Sequence, residues 1–317
     1  MDDERRQAPS HVQALAERRA QARRERDWGT ADALKAELEA AGWKVVDRGH
    51  RYRLQPAHAP NVESDGVVRY GSSAGVPSRL EEPHAVAATI VVVAGTELPA
   101  RLPSAPQLVV VLTDPHVLLP AKPAEAEVVL AAAPLGLVAA WNMGLRRAIG
   151  SIIVLLAPGM EPRADVVGQV TAALADEDVA LVGWPGLSST DLRHWHSAPA
   201  GDVDALGAGV VAFRRTDARL RGPLDERFST PKRLAIWWSL MLRDAGPDGP
   251  PRRALALDLT SPRTSDAPES KEQPEILDRA ARRDFYRLLD TFGRRYDLLR
   301  GPVRPTAASA KARSQRR

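Results

Sequence analysis

Residues 136–162 read GLVAAWNMGLRRAIGSIIVLLAPGMEP, and the fold is decided there. Val138, Trp141, Leu145 and the pair Ala148/Ile149 recur at helical spacing, which predicts a short helix with one buried face. Gly150 is expected to end that helix, because a residue without Cβ adopts the left-handed conformation of a helix terminus at no steric cost. Residues 151–156, SIIVLL, form an unbroken β-branched and leucine run, as a strand buried on both faces of a parallel sheet requires. In such sheets the ligand crevice lies beyond the carboxyl ends of the strands. Ala157, Pro158 and Gly159 therefore stand where chemistry would occur, and none of them carries a side chain that binds a cation or moves a proton.

Outward from this stretch the pattern repeats. Extended runs are expected at 89–94, 108–112, 128–131, 179–182, 209–213 and 254–257, with a helix over 166–174. Strands alternating with helices on this scale predict an α/β domain with a mostly parallel sheet. The chain has 317 residues, 44% of them hydrophobic, enough for a sizeable core. With no cysteine, a disulfide framework, a thiolate metal site and a thiol nucleophile are all excluded. The start, MDDERRQAPS, lacks the apolar core of a secretory signal. The longest uncharged run, 128–145, contains Pro134, Gly136 and Asn142 and reads as strand, loop and helix rather than a transmembrane segment. A cytoplasmic location is the expectation.

Residues 10–56 read as a separate module. Ser10 and Gln13 fit a capping box opening a helix with Val12, Leu15, Ala16 and Ala22 inward. Asp27-Trp28-Gly29 breaks it, Thr30 is placed to cap a second helix facing inward through Ala31, Leu34, Leu38 and Ala41, and Gly42 ends that one. Two short extended runs around Asp47-Arg48-Gly49-His50 predict a β-hairpin. Ala22-Arg23-Arg24, Asp27-Trp28, Ala31-Asp32, Leu34, Leu38, Gly42-Trp43, Asp47 and Gly49 together resemble the C-terminal module of cysteinyl-tRNA synthetases. The resemblance implies contact with tRNA or another RNA, with Arg19, Arg23, Arg24 and Arg26 as the candidate RNA-binding residues. The alternative, a solvated arginine face on a docking module, stands beside it, because Glu17, Glu25, Asp32, Glu37 and Glu39 dilute the positive field. Synthetase chemistry is excluded by the missing cysteines and the absence of any nucleotide-activating motif.

Residues 88–260 read as one domain, and across roughly Thr89 to Gly246 the order of the pieces resembles family 2 glycosyltransferases of the GT-A fold. Four blocks carry the resemblance. Gly136 to Gly150, with Asn142 and Gly144, matches the family's G-x-a-x-a-x-N-x-G…A-x-G helix. Residues 152–156 with Pro162 match its iifLDxD…P strand. Gly207-Ala-Gly-Val-Val-Ala-Phe-Arg214-Arg215 matches G-g-x-x-l-x-r-R, and Gly222-Pro-Leu-Asp225-Glu226-Arg227-Phe228 matches vGgfDErf. The implied fold is a nucleotide-diphospho-sugar transferase-like, mostly parallel sheet flanked by helices, preceded by the small αα-hairpin and β-hairpin module. The implied ligand is a nucleotide-sugar or glycan.

The departures from that pattern bear on chemistry. The family's Asp-x-Asp holds a divalent cation on the donor diphosphate; here its positions are Ala157 and Gly159, so a divalent metal is not expected and no cofactor is assigned. The family's base after the DErf block has no counterpart in Ser229-Thr-Pro-Lys-Arg233, which contains no carboxylate. The surviving candidates for nucleotide-sugar binding are Gly95 and Thr96 after the first strand, Asp114 after the second, Asn142, Asp225, and the cations Lys232 and Arg233. Each has a structural alternative: Asp114, for one, caps the turn Thr113-Asp114-Pro115 equally well. His194 and His196 lie on one side of an extended chain, but two imidazoles make a poor metal site. Trp184, Trp195, Trp237 and Trp238 suit either sugar stacking or the core.

The remaining segments complete the layout. Residues 1–9 are expected to be disordered, 57–87 and 261–275 are expected as linkers, and 276–299 as an amphipathic helix. Net charge is +4, yet the tail 300–317 carries Arg300, Arg304, Lys311, Arg313, Arg316 and Arg317 without one acid, so the rest of the chain is not basic. Three functions remain: a glycosyltransferase-like domain that has lost catalysis and binds or scaffolds, a metal-independent transferase, and an RNA-binding protein. The oligomeric state is not legible.

Overall fold

The computed structural model describes residues 8–48, 51–64, 66–94, 105–117, 126–246, 249–260 and 279–301. The chain divides into two compact units, Met1–Ser72 and Ser73–Arg317.

In the first unit α1 (Ser10–Arg24) and α2 (Trp28–Ala40) pack side by side, and β1 (Trp43–Arg48) pairs antiparallel with β2 (Arg51–Pro56). Val12, Ala16 and Leu38 form the core, covered by Trp43, Val45, Tyr52 and Leu54. The expected capping box does not form. Pro9 precedes the helix with no side-chain cap, and the Gln13 amide donates to the Ala8 carbonyl at 2.6 Å instead. Nor does Thr30 cap α2: Asp27 does, accepting from the Thr30 amide at 3.1 Å, since a carboxylate suits the positive helix end better than a hydroxyl. Gly42 ends the helical segment with φ +81°, as expected. The stretch read as a linker carries a further hairpin, β3 (Val62–Ser64) with β4 (Val67–Tyr70).

In the second unit the parallel strands β5 (Val86–Ala94), β6 (Gln107–Leu112), β7 (Ala126–Ala131) and β8 (Gly150–Leu156) lie in the order β8-β5-β6-β7. Beyond β8 the sheet continues through β12 (Ala205–Arg214), which runs antiparallel to both β8 and β9 (Val179–Ser188). Next come β13 (Arg253–Ala256), parallel to β9, and β11 (Gly201–Val203); β10 (His196–Ala198) attaches to β9. All the anticipated strands are present; β10 and β11, three residues each, are too short to leave a periodic signal. Residues 88–93 of β5 and 152–156 of β8 are buried throughout, as strands covered on both faces must be.

The helix of the opening stretch is α3 (Leu137–Arg147), packed on β5 and β6. Gly150 does not end it. Ala148 closes the helix in extended conformation, and Gly150 is the first residue of β8. Its reason is closeness: a Cβ there would meet the Ala88 carbonyl carbon and the Thr89 nitrogen at 2.4 Å. Gly144, inside α3, is likewise required because a Cβ would lie 2.2 Å from a Val91 methyl. Helix α4 (Val166–Leu174) packs on β9, α5 (Arg215–Arg221) follows β12, and α6 (Pro231–Arg243) covers β12. Helix α7 (Arg279–Phe292) packs on α6 through Leu288 and Phe292, which join Ile236, Leu240, Leu187 and Trp195 in one cluster. Among the described residues no helix is long and apolar enough to cross a membrane.

Candidate functional site

Because β5, β6, β7 and β8 run parallel, their carboxyl ends share one rim, and β12 brings its amino end to the same place. At the centre of that rim residues 157–160 make a turn. The Met160 amide donates to the Ala157 carbonyl at 3.0 Å, and Gly159 sits at the third position with φ +73°, the sign a type II turn demands. The Ala157 amide in turn donates to Gly209 of β12 at 2.8 Å. Gly209 lies where β12 bulges, and a Cβ there would meet the Trp184 carbonyl at 2.5 Å and the Met160 methyl at 3.3 Å. The turn is thus built from backbone and apolar groups. Among the described residues, no three histidines or acids lie close enough to hold a metal ion.

A cleft of about 610 Å³ opens between the amino end of α3, the 226–231 loop leading into α6, and α7. Asn142 holds one wall. Its Nδ2 donates to the Leu224 carbonyl and its Oδ1 accepts from the Leu224 amide, both at 2.9 Å, which fixes the loop onto α3. The same Nδ2 donates to Glu226 Oε1 at 2.9 Å, and the Ser73 hydroxyl donates to that oxygen as well. Glu226 lines the cleft with one carboxylate oxygen already engaged.

The opposite wall is cationic. Arg283 and Arg287 lie one helical turn apart on α7 and both face the cleft. Arg287 is held at 3.4 Å from Asp225 and over the Phe228 ring, 5.5 Å from its centroid. Asp225 also receives Arg227 Nε and Nη2, both at 2.8 Å. Partial burial acts to raise the Asp225 carboxyl, but Arg227 and Arg287 outweigh it and hold the group below the usual carboxylate range. The amino end of α3 adds its positive dipole from its own side of the cleft.

Sequence reasoning missed α7's share of the site. Asp284 is fully buried and accepts from the Ser229 amide at 3.0 Å and the Thr230 amide at 2.7 Å, besides both hydroxyls. A carboxylate does stand at the segment that lacks one of its own, but it is saturated as the cap of α6, with Pro231 next in the helix. The signal was available: Asp284 shares a face with Leu288 and Phe292, so it interrupts an apolar stripe. The Arg283/Arg287 pair was legible as an i,i+4 cationic edge on the same helix.

The other candidates scatter. Asp114 Oδ1 accepts from the His116 amide at 2.8 Å, which is the turn-capping geometry. Arg233 lies 5.2 Å from the centroid of Phe285, in a stacking arrangement, and Lys232 is exposed beside it at the start of α6. Gly95 and Thr96 lie outside the described residues. His194 pairs with Asp191 at 2.7 Å rather than converging with His196. Burial acts to raise Asp191, but the His194 ring and the amides of His194 and Arg193 pull it down to about 2. Trp195 and Trp238 are core residues, and Trp237 packs against the α6–α7 cluster.

In the first unit the four arginines divide. Arg19 is buried, and its two Nη atoms donate to the two oxygens of Asp47 at 3.0 Å each. It ties α1 to β1 and is unable to reach an external phosphate, so its assignment to RNA contact is corrected. Arg23 shares Asp47 at 3.0 Å and lies 5.7 Å from the Trp28 ring centroid. Arg24 and Arg26 are exposed, and Trp28 is 57% exposed beside them. An exposed indole flanked by cations is a surface on which a base stacks and a phosphate pairs.

Among solved structures, the chain is similar to GalNAc-T7 with UDP, GalNAc and Mn2+, at 11% identity and a TM-score of 0.47 over 67% of this chain and 50% of that one. It is also similar to the mannosyltransferase PcManGT from Pyrobaculum calidifontis in complex with GDP-Man and Mn2+, at 19% identity and a TM-score of 0.39 over 56% of this chain and 59% of that one. By sequence, the chain is 49% identical over 51 residues to a cysteine–tRNA ligase from Opitutus terrae, covering 16% of this chain and 11% of the ligase. It is 48% identical over 46 residues to cysteine–tRNA ligase 1 from Burkholderia lata, covering 14% and 10%. The chain thus spans about a tenth of the length of the curated relatives it matches. Residues 5–53 match the cysteinyl-tRNA ligase anticodon binding domain family, and the resemblance read from Arg23, Asp27-Trp28 and Ala31-Asp32 is to that domain.

Proposed function

We propose that the chain is a two-part binding protein: a module that contacts tRNA or another RNA, joined to a glycosyltransferase-like unit that takes a nucleotide-sugar or glycan without metal-assisted transfer. The observation that carries the second half is the 157–160 turn at the end of β8. A cation on a donor diphosphate needs oxygen ligands at that rim, and an alanine methyl and a glycine hydrogen supply none. The polar groups of the cleft support binding rather than turnover. Arg283, Arg287 and the amino end of α3 suit a diphosphate directly, whereas Asp284 is saturated as a helix cap and Asn142 as a loop clamp. No divalent cation is part of this reading. Its test is titration of the full chain with a panel of UDP- and GDP-sugars, with and without Mn2+, while free nucleotide is assayed. Binding without nucleotide release supports it, and metal-dependent release overturns it. Nucleotide release without any metal would instead favour a transferase in which the cleft arginines replace the cation.

The first half rests on the family match and on the exposed group Arg24, Arg26 and Trp28. Such a protein would act in the cytoplasm with its RNA. Salt-dependent retention of tRNA by the full chain is the expected result, and retention unchanged after deletion of residues 1–56 and 300–317 would remove this half.

A further inference from the structure

At the amino end of β8, a strand's length of about 20 Å from Ala157, a second groove of about 450 Å³ opens beside α4 and α5. Its floor is apolar, formed by Leu80, Pro83, Ile152 and Leu174. Its cationic lining is Arg214, Arg215 and Arg219, with the His84 ring beside them, against the single carboxylate of Glu82. Glu82 is already paired with Arg79 at 3.0 Å.

The three arginines are not equivalent. Arg214 is used structurally: its Nη atoms donate to the carbonyls of Leu174, Asp176 and Val179, which neutralises the negative end of α4. Arg219 is half-exposed at the rim, 3.8 Å from Glu81. Arg215 is only 6% exposed. Its Nη2 donates to the carbonyls of Arg79 and Glu82, and its Nε has no acceptor among the described residues. The two nearest acids are turned elsewhere, Glu81 to Arg219 and Glu82 to Arg79. Burial draws the Arg215 guanidinium below the ordinary arginine range, and the charges of Glu82 and Glu81 offset this only in part. Such a group is costly to keep unless something anionic completes it.

We propose that this groove binds a phosphate monoester carried on an apolar or aromatic body. The phosphate lies against Arg215, with Arg219 and the Thr216 hydroxyl at the rim, and the body rests on Leu80, Pro83, Ile152 and Leu174. A guanidinium suits phosphate oxygens, and the floor gives the body a place that inorganic phosphate leaves empty. The site shares no lining residue with the cleft at the amino end of α3 and does not depend on the reading given to that cleft.

The experiment is titration of the full chain at pH 7 with phenyl phosphate, followed through the imidazole proton resonances of His84, which are assigned with His84→Gln. His84 lines the groove, so its signal reports on this site rather than the other. A saturable His84 shift is expected, with inorganic phosphate weaker by about tenfold and phenol without effect. Arg215→Gln should abolish the shift. The exposed pair Arg219→Ala/Thr216→Val should weaken binding about fivefold at unchanged circular dichroism, and it decides the matter if Arg215→Gln does not fold. No His84 shift, equal affinity in the Arg219→Ala/Thr216→Val protein, or phenol acting as well as phenyl phosphate would each overturn the proposal.

Discussion

Asp284 is a buried acid whose role is visible in its donors. Two amides and two hydroxyls of Ser229 and Thr230 converge on it, so α7 caps α6 through one side chain. Replacing Asp284 with alanine leaves those amides buried without an acceptor, which should destabilise the fold by about 3 kcal/mol. Urea unfolding checks this, and a loss below about 1 kcal/mol would show that water replaces the carboxylate there. Asp47 is the corresponding single-residue test in the first unit. The Arg19 hydrogen bonds, opposed by partial burial and aided by the charges of Arg19 and Arg23, hold its carboxyl below the ordinary value of 3.8. A folded-state pKa below the unfolded one gives stability that is full above the unfolded value and is lost as pH falls through the folded one. Asp47→Asn should therefore cost about 1–2 kcal/mol at pH 7, discounted for the exposure of Asp47, and the gap to the natural protein should close below pH 3.8. Chemical unfolding at both pH values measures it.

The elements explain what the sequence made legible and what it hid. Buried parallel strands announced themselves because β5 and β8 need unbroken apolar runs, and α4 was found to the residue because its inward stripe is regular. Glycine was harder. Its presence at 150 was visible, but whether it served a left-handed turn or a close approach depends on a strand paired from 61 residues earlier in the chain. Asp284 was hidden for the same reason, since its partners lie 54 and 55 positions away. The two glycines at the ends of β8 should respond differently. Gly150→Ala forces a Cβ to 2.4 Å from backbone and should cost about 3 kcal/mol. Gly159→Ala meets nothing within 4 Å and has only its φ of +73° to oppose it, about 1 kcal/mol. Thermal unfolding of the two variants should rank them in that order; equal shifts would mean that β8 relaxes away from β5.

At the scale of the whole molecule, two compact units are joined in one chain. The first should bind RNA through its exposed groups. The triple substitution Arg24→Ala/Arg26→Ala/Trp28→Ala should weaken tRNA retention by about tenfold or more and flatten its salt dependence, because it removes two phosphate partners and a stacking surface. Filter binding at several salt concentrations checks this, and unchanged affinity would leave Trp28 and its neighbours as a solvated face. For the second unit, the central claim is that the rim at Ala157 binds without metal-assisted transfer. The most direct measurement is release of free nucleotide from UDP- and GDP-sugars by the pure full-length protein, with Mn2+ and with chelator, alongside calorimetric binding. Binding heat that is the same in both conditions, with no nucleotide released, is the predicted result; release that depends on Mn2+ would contradict it.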